Sequence, residues 1–285
     1  MAVKIVTDST CDIPPSIAAE YDITVIPCYI NFSNQSFLDG IDLSREQFYQ
    51  KLPSAKILPT TSSPGIGSFI QTYQKLADDG ASGILSIHVP ASFSNVVNTA
   101  KLAAESIQDI PVTVVDSGQL SMGIGYQAIA AAKAGADGKP MGEILALVND
   151  MMKRTYVLAT LDTLDYLRRS GRLNRMQANL GALLAVKPFV KLHNDQVILE
   201  PVRTFKKSIN RLVSSIAELA PVEEIIFLHT HAAEKAARLM DMAQSFLPTG
   251  KTALLTEASS VIGIHLGPGA VGAACVLAER GWHDA

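Results

Sequence analysis

Apolar positions along this chain follow two rhythms, and the first half alternates between them. Short β-branched runs at residues 3–7, 23–29, 84–89 and 112–115 have the length and composition of buried strands. Between and after them, apolar residues recur at helical spacing. Pro14 and Pro15 open a helix reaching residue 21, and Ser44 followed three residues later by Gln47 marks a capping box whose helix ends near Leu52-Pro53. Ile66, Phe69, Ile70, Tyr73 and Leu76 form one helical face, which places the preceding hydroxyl residues 61–63 at a helix N-terminus. Ser92 or Ser94 is expected to cap the helix carrying Val96, Val97, Ala100 and Ala103, and a further helix covers residues 124–134. Strand and helix in alternation imply parallel βαβ units.

Beyond a helix over residues 140–154 the grammar changes. A strand is expected at 155–160, a short helix at 163–169, a break at Ser170-Gly171-Arg172 and an apolar run at 180–185. Asn194-Asp195 then separates two apolar segments as the turn of a hairpin. Helices at 206–219 and 232–246 enclose a strand at 224–229, which fits a mixed sheet with helices on one face. The predicted fold class is therefore α/β with two domains: an α/β/α parallel-sheet domain over residues 1–150 and a mixed-sheet α/β domain over residues 151–285.

Composition narrows the function classes. The 285 residues are 48% hydrophobic and 18% charged, which excludes disordered and fibrous chains. A net charge of -3 gives no general attraction for nucleic acid, and the basic segment Arg203-Thr204-Phe205-Lys206-Lys207 is too short to supply one. Cys11, Cys28 and Cys275 form no CxxC pair, so neither a disulfide framework nor a zinc site is expected. With no signal-peptide-like start and no apolar run near the roughly 18 residues of a membrane span, the expected location is the cytoplasm, with at most transient membrane contact.

Candidate chemistry gathers at polar punctuation. Thr61, Ser62 and Ser94, on two helix starts, are placed to bind an anion through hydroxyls and backbone N–H groups, although every helix needs a cap and Ser or Thr is a common one. Residues 263–272 pack four glycines and Pro268 around His265, as in a stiff ligand loop, or in a plain tight turn before a final buried helix. Arg172, between a helix end and a glycine, suits a carboxylate; clustered arginines are also common on solvated faces. His229 and His231 alternate as on a strand end, but no acidic ligand stands next to them in the sequence, so no metal site is expected. The enzyme motifs GxSxG, HExxH, the P-loop and GxGxxG after the first strand are absent. Asp8, Asp12 and Asp116 fit turn-capping and the bracing of hydroxyls better than a catalytic carboxylate cluster.

Taken in order, several segments carry a resemblance: Thr7-Asp8-Ser9-Thr10, Pro59-Thr60-Thr61-Ser62-Ser63-Pro64, Ser94 at a helix start, Val115-Asp116-Ser117, Leu164-Asp165-Tyr166-Leu167-Arg168-Arg169-Ser170-Gly171-Arg172, Lys187-Pro188, Arg203-Thr204, and residues 263–270. Together they resemble the DegV family of bacterial fatty-acid-binding proteins over essentially the whole chain. The resemblance implies a carrier rather than an enzyme, without cofactor or metal, burying a long-chain fatty acid between its domains and presenting the carboxylate to a separate fatty acid kinase. It implies that Thr61, Ser62, Ser94 and His265 hold the carboxylate, with Arg172 and Arg203 at the mouth or facing the kinase. Asn95 stands where the family has a glycine, and Ile264 where a small hydroxyl residue is common. The alternative is a metal-dependent enzyme acting on a small phosphorylated or carboxylated metabolite through Asp8 and His265.

Overall fold

The computed structural model describes residues 2–173 and 186–278. The apolar run at 180–185 lies outside the described residues. In chain order the elements are β1 (Val3–Asp8), α1 (Pro15–Glu20), β2 (Ile23–Ile26), β3 (Tyr29–Phe32), β4 (Gln35–Leu38), α2 (Arg45–Lys51), β5 (Thr60–Ser62), α3 (Ile66–Asp78), β6 (Gly83–His88), α4 (Val96–Ala104), β7 (Val112–Asp116), α5 (Met122–Ala136) and α6 (Met141–Arg154). There follow β8 (Thr155–Thr160), α7 (Asp165–Arg169), β9 (Phe189–His193), β10 (Gln196–Glu200), α8 (Phe205–Leu219), β11 (Val222–His229), α9 (Ala233–Met242), β12 (Leu254–Glu257), α10 (Ser260–Leu266) and β13 (Val271–Leu277). Among these helices none is long and apolar enough to cross a membrane.

The fold is mixed α/β, as expected. A parallel sheet runs in the order β2-β1-β6-β7, and a mixed sheet in the order β10-β9-β8-β13-β11-β12. Within the mixed sheet only β11 and β12 are parallel; the other pairings are antiparallel. Asn194 and Asp195 both adopt positive φ, 48° and 62°, the geometry of a two-residue hairpin turn matched to strand twist. The Ser44–Gln47 capping box forms with both of its hydrogen bonds. The expected boundary near residue 150 falls inside α6, which runs directly into β8.

Several expectations are corrected. The run at 23–29 is two strands: β2 joins the parallel sheet, and β3 joins a small antiparallel sheet of order β4-β3-β5. Thr61 and Ser62 lie on β5 of that small sheet and not at a helix start, because Ser63, Pro64 and Gly65 intervene and Gly65 occupies the N-cap of α3. The cap position of α4 belongs to Asn95; Ser92 Oγ instead donates to Asp195 Oδ1 at 2.5 Å. The chain's last described element is a central strand, β13, where a helix was the plainer expectation.

The mixed sheet is covered on both faces. Its own α8 and α9 pack on one, and α5 and α6 reach it from the first half of the chain. Residues Ile209, Leu212 and Ile216, three and four positions apart, give α8 its buried stripe. Helix α5 is shared, touching β1, β2 and β6 of the parallel sheet as well as β8 and β13. It can lie this close because it is rich in Gly and Ala: a Cβ at Gly135 would sit 2.8 Å from the Val3 carbonyl oxygen. The main apolar core is consequently continuous from Ile5 and Leu85 through Ala128 to Leu192 and Ile264.

Candidate functional site

Between the two large sheets lies a cavity of about 360 Å³, within the roughly 300–1,000 Å³ of small-molecule sites. Most of its wall is apolar: Val157 and Ala159 on β8, Val190 and Leu192 on β9, Leu228 on β11 and Val261 on α10. Alternation along the strands explains this lining, since residues two apart face the same side of a sheet. Polar lining residues include Thr61, Ser62, Ser63, Ser94, Asn95, Arg172 and His265.

The polar end joins the two halves of the chain. Thr61 Oγ1 lies 3.4 Å from His265 Nε2, and Ser63 Oγ lies 3.5 Å from Ser94 Oγ. Ser62 Oγ accepts from Asn31 Nδ2 at 2.6 Å, which leaves the serine hydrogen free to donate elsewhere. His265 is carried by the last turn of α10 and not by a loop; Ser259 caps that helix, accepting from Ile262 N, and Gly267 ends it at φ +75°. The glycines therefore stop the helix beside the histidine. Burial, with the Arg172 guanidinium nearby, pushes the His265 pKa down to about 3, so the ring is neutral at pH 7. Its Nδ1 is buried with no hydrogen-bond partner among the described residues.

Of the residues singled out from the sequence, Thr61, Ser62, Ser94, His265 and Arg172 all line this one cavity. Arg203 does not: it is exposed between β10 and α8 and is absent from the described lining. Ser63 and Asn95 line it as well, and the Pro-to-Pro hydroxyl run already pointed to the first of these. Ile264 is fully buried in the core and presents no side chain to the cavity.

The acidic residues are used structurally. Asp8 is fully buried, accepting from Thr10 N at 3.0 Å, Thr10 Oγ1 at 2.5 Å and Val89 N at 3.3 Å, and pairing with His88 Nδ1 at 2.9 Å. Burial pushes its carboxyl pKa up, but His88 and Thr10 outweigh that and hold it below the usual range. His88 continues through Ser86 to Tyr73 as a buried polar chain. Sequence reading passed over His88; Ser86 and His88 inside an apolar strand were the available signal. Asp116 accepts from Ala91 N and Gly118 N and braces the turn before Ser94. Asp12 accepts from Ser121 Oγ at 2.5 Å and from Ser259 N at 2.7 Å, tying the start of α10 to the first half of the chain.

His229 and His231 do have an acidic neighbour, contrary to the sequence reading: Glu257 Oε1 lies 3.8 and 3.7 Å from their Nδ1 atoms. The parallel pairing of β11 with β12, invisible in a local motif, brings it there. Among the described residues no group of three or more His, Cys, Asp or Glu is arranged to hold a metal ion.

Comparison with known proteins matches both the chain and its shape. The family model described as "Uncharacterised protein, DegV family" matches residues 2–278. A DegV domain-containing protein of Streptomyces coelicolor is 35% identical over 274 residues, covering 95% of this chain and 96% of that protein. A DegV family protein from Thermus thermophilus, whose structure is described as showing fatty acid binding, superposes with a TM-score of 0.88 at 30% identity, covering 98% of this chain and 100% of its own. DegV from Bacillus subtilis, described as a fatty acid binding protein, gives a TM-score of 0.87 at 30% identity, with 97% and 99% covered.

Proposed function

The chain belongs to the DegV family, and from that premise we propose that it carries a long-chain fatty acid in the cavity between its sheets and presents the carboxylate to a separate fatty acid kinase. One observation supports this most: an apolar slot that ends in Thr61, Ser62, Ser94 and His265, contributed by both halves of the chain.

The division of labour follows from magnitudes. An acyl tail of about fourteen methylenes, at roughly 0.8 kcal/mol each, gains on the order of 11 kcal/mol gross before the cost of ordering the chain. Hydrogen bonds to the head group contribute about 1–3 kcal/mol, so the tail sets affinity and the head group sets orientation. Neutral His265 donates or accepts according to tautomer, while Arg172 supplies the positive charge that a carboxylate needs in a partly buried site. Arg203, exposed outside the cavity, is assigned to the kinase-facing surface. On this reading the chain is a carrier that turns nothing over alone.

The metal-dependent alternative has little support from geometry. Asp8 does not line the cavity, and its oxygens are engaged by Thr10, His88 and Val89. The test of the carrier reading is direct: purify the protein from a bacterial host, extract it and identify co-purifying lipid by mass spectrometry. A long-chain acid in near-equimolar amount is expected. A lipid-free protein that also fails to bind added palmitate refutes the reading.

A further inference from the structure

The tip of the β9–β10 hairpin crosses to the other half of the chain. Two-residue turns of this kind need positive φ at both central positions and favour glycine at the second. Here the second position is Asp195, at φ 62°, so the turn forgoes the residue that fits it best and keeps a carboxylate. Its Oδ1 accepts from Ser92 Oγ at 2.5 Å, across 103 residues of sequence, and its backbone N–H donates to the Gly118 carbonyl oxygen at 2.8 Å. Asn194 reaches the same loop, since a Cβ on Gly118 would lie 3.6 Å from Asn194 Oδ1. Ser92 belongs to the tight turn that delivers Ser94 to the cavity. In that turn the Pro90 carbonyl oxygen accepts from Phe93 N at 2.9 Å and from Ser94 N at 3.0 Å. Asp116 holds one corner of it through Ala91 N at 3.0 Å, and also accepts from Gly118 N at 3.1 Å. Asp195 engages the same two segments, at Ser92 and Gly118, from the opposite half of the chain.

Resting on the carrier reading above, we propose that Asp195 is a positioning residue for acid binding: through Ser92 it fixes the turn 90–94 against the hairpin, and so sets where Ser94 Oγ stands in the cavity. Asp195 touches no ligand itself, being exposed and outside the cavity lining. Its negative charge gives no attraction to an acid, so what it supplies is a hydrogen-bond acceptor for Ser92. The hairpin behind it contributes Val190, Leu192 and Val197 to the apolar wall. One supersecondary unit thus carries part of the wall that meets the acyl chain and the clamp on the turn that offers a hydroxyl to the head group.

The test titrates palmitate calorimetrically into delipidated wild type, Asp195→Ala, Asp195→Asn, Ser94→Ala and the Ser94→Ala/Asp195→Ala pair. Asp195 and Ser92 are both exposed, so truncating Asp195 opens no hole in the core. Asp195→Ala is expected to weaken palmitate about five-fold, the scale of one hydrogen bond. Asp195→Asn keeps an acceptor for Ser92 without the charge, and is expected to restore affinity to within about two-fold of wild type. In the Ser94→Ala background, Asp195→Ala is expected to change affinity by less than about two-fold, because the hydroxyl it positions is gone. A purely structural role would give the same loss in both backgrounds, and that result overturns the assignment. So does an Asp195→Ala protein that binds palmitate as wild type does, or an Asp195→Asn protein as weak as Asp195→Ala. These three results leave the carrier reading standing. Wild-type protein that does not bind palmitate refutes that reading, and the role of Asp195 with it.

Discussion

His265 makes the protein's stability acid-sensitive in a calculable way. Its pKa falls from 6.5 to about 3 on folding, because burial and the Arg172 guanidinium both oppose a charged ring. Below pH 6.5 the unfolded chain therefore takes up a proton that the folded protein refuses. The stability this group supports is fully present above the unfolded value and is lost as pH falls towards 3. Each pKa unit is worth about 1.4 kcal/mol, so moving to about pH 5 costs about 2 kcal/mol through this residue. The ring is only partly shielded from solvent, which sets the lower end near about 1 kcal/mol. The lowered pKa of Asp8 acts in the same direction, and the raised pKa values of Asp12 and Asp39, caused first by burial, act in the opposite one. Comparison with His265→Gln cancels all three. Urea unfolding at about pH 7 and about pH 5 should show wild type losing about 1–2 kcal/mol more than His265→Gln. Parallel losses refute a neutral, desolvated ring. Saturating palmitate should shrink the excess, since a carboxylate beside Nε2 favours the protonated ring.

Thr61→Val removes one hydroxyl from the polar end and should weaken palmitate binding by about 1 kcal/mol, roughly five-fold, in a calorimetric titration; unchanged affinity takes Thr61 out of the head-group site. Gly267→Ala forces a Cβ at φ +75° to within 2.2 Å of the Tyr166 ring, and should cost about 3 kcal/mol in urea unfolding. A cost below about 1 kcal/mol would mean that the end of α10 yields easily. His88→Ala leaves the Asp8 carboxylate buried without its ring partner and should cost about 3–5 kcal/mol, with a near-zero change showing that the pair carries little.

What the sequence revealed divides along the range of the interactions involved. Strands β1, β6 and β7 and the β9–β10 hairpin were readable because period, β-branching and turn residues act within a few positions. The small sheet was not, because Thr60–Ser62 between prolines looks locally like a helix cap; only pairing with Tyr29–Phe32 makes it a strand. The same limit hid the α10 helix around His265. Glycines at 263 and 267 suggested a loop, yet a Cβ at Gly263 would meet the Tyr49 hydroxyl oxygen at 2.4 Å, so that glycine serves close packing inside a helix. Thr61, Ser62, Ser94 and His265 line one cavity, but they reach it from a strand, the segment before α4 and a helix end in place of two helix starts and a loop. Glu257 beside His229 and the Asn31–Ser62 bond depend on neighbours distant in sequence and left no local trace.

The position of the bound carboxylate can be read by nuclear magnetic resonance of palmitate carrying carbon-13 at its carboxyl carbon. The carrier account predicts one narrow bound resonance that shifts in both Thr61→Val and His265→Gln and stays put in Met242→Ala, a change at an exposed residue of α9. A carboxyl resonance at the solvent position, indifferent to Thr61 and His265, would contradict it.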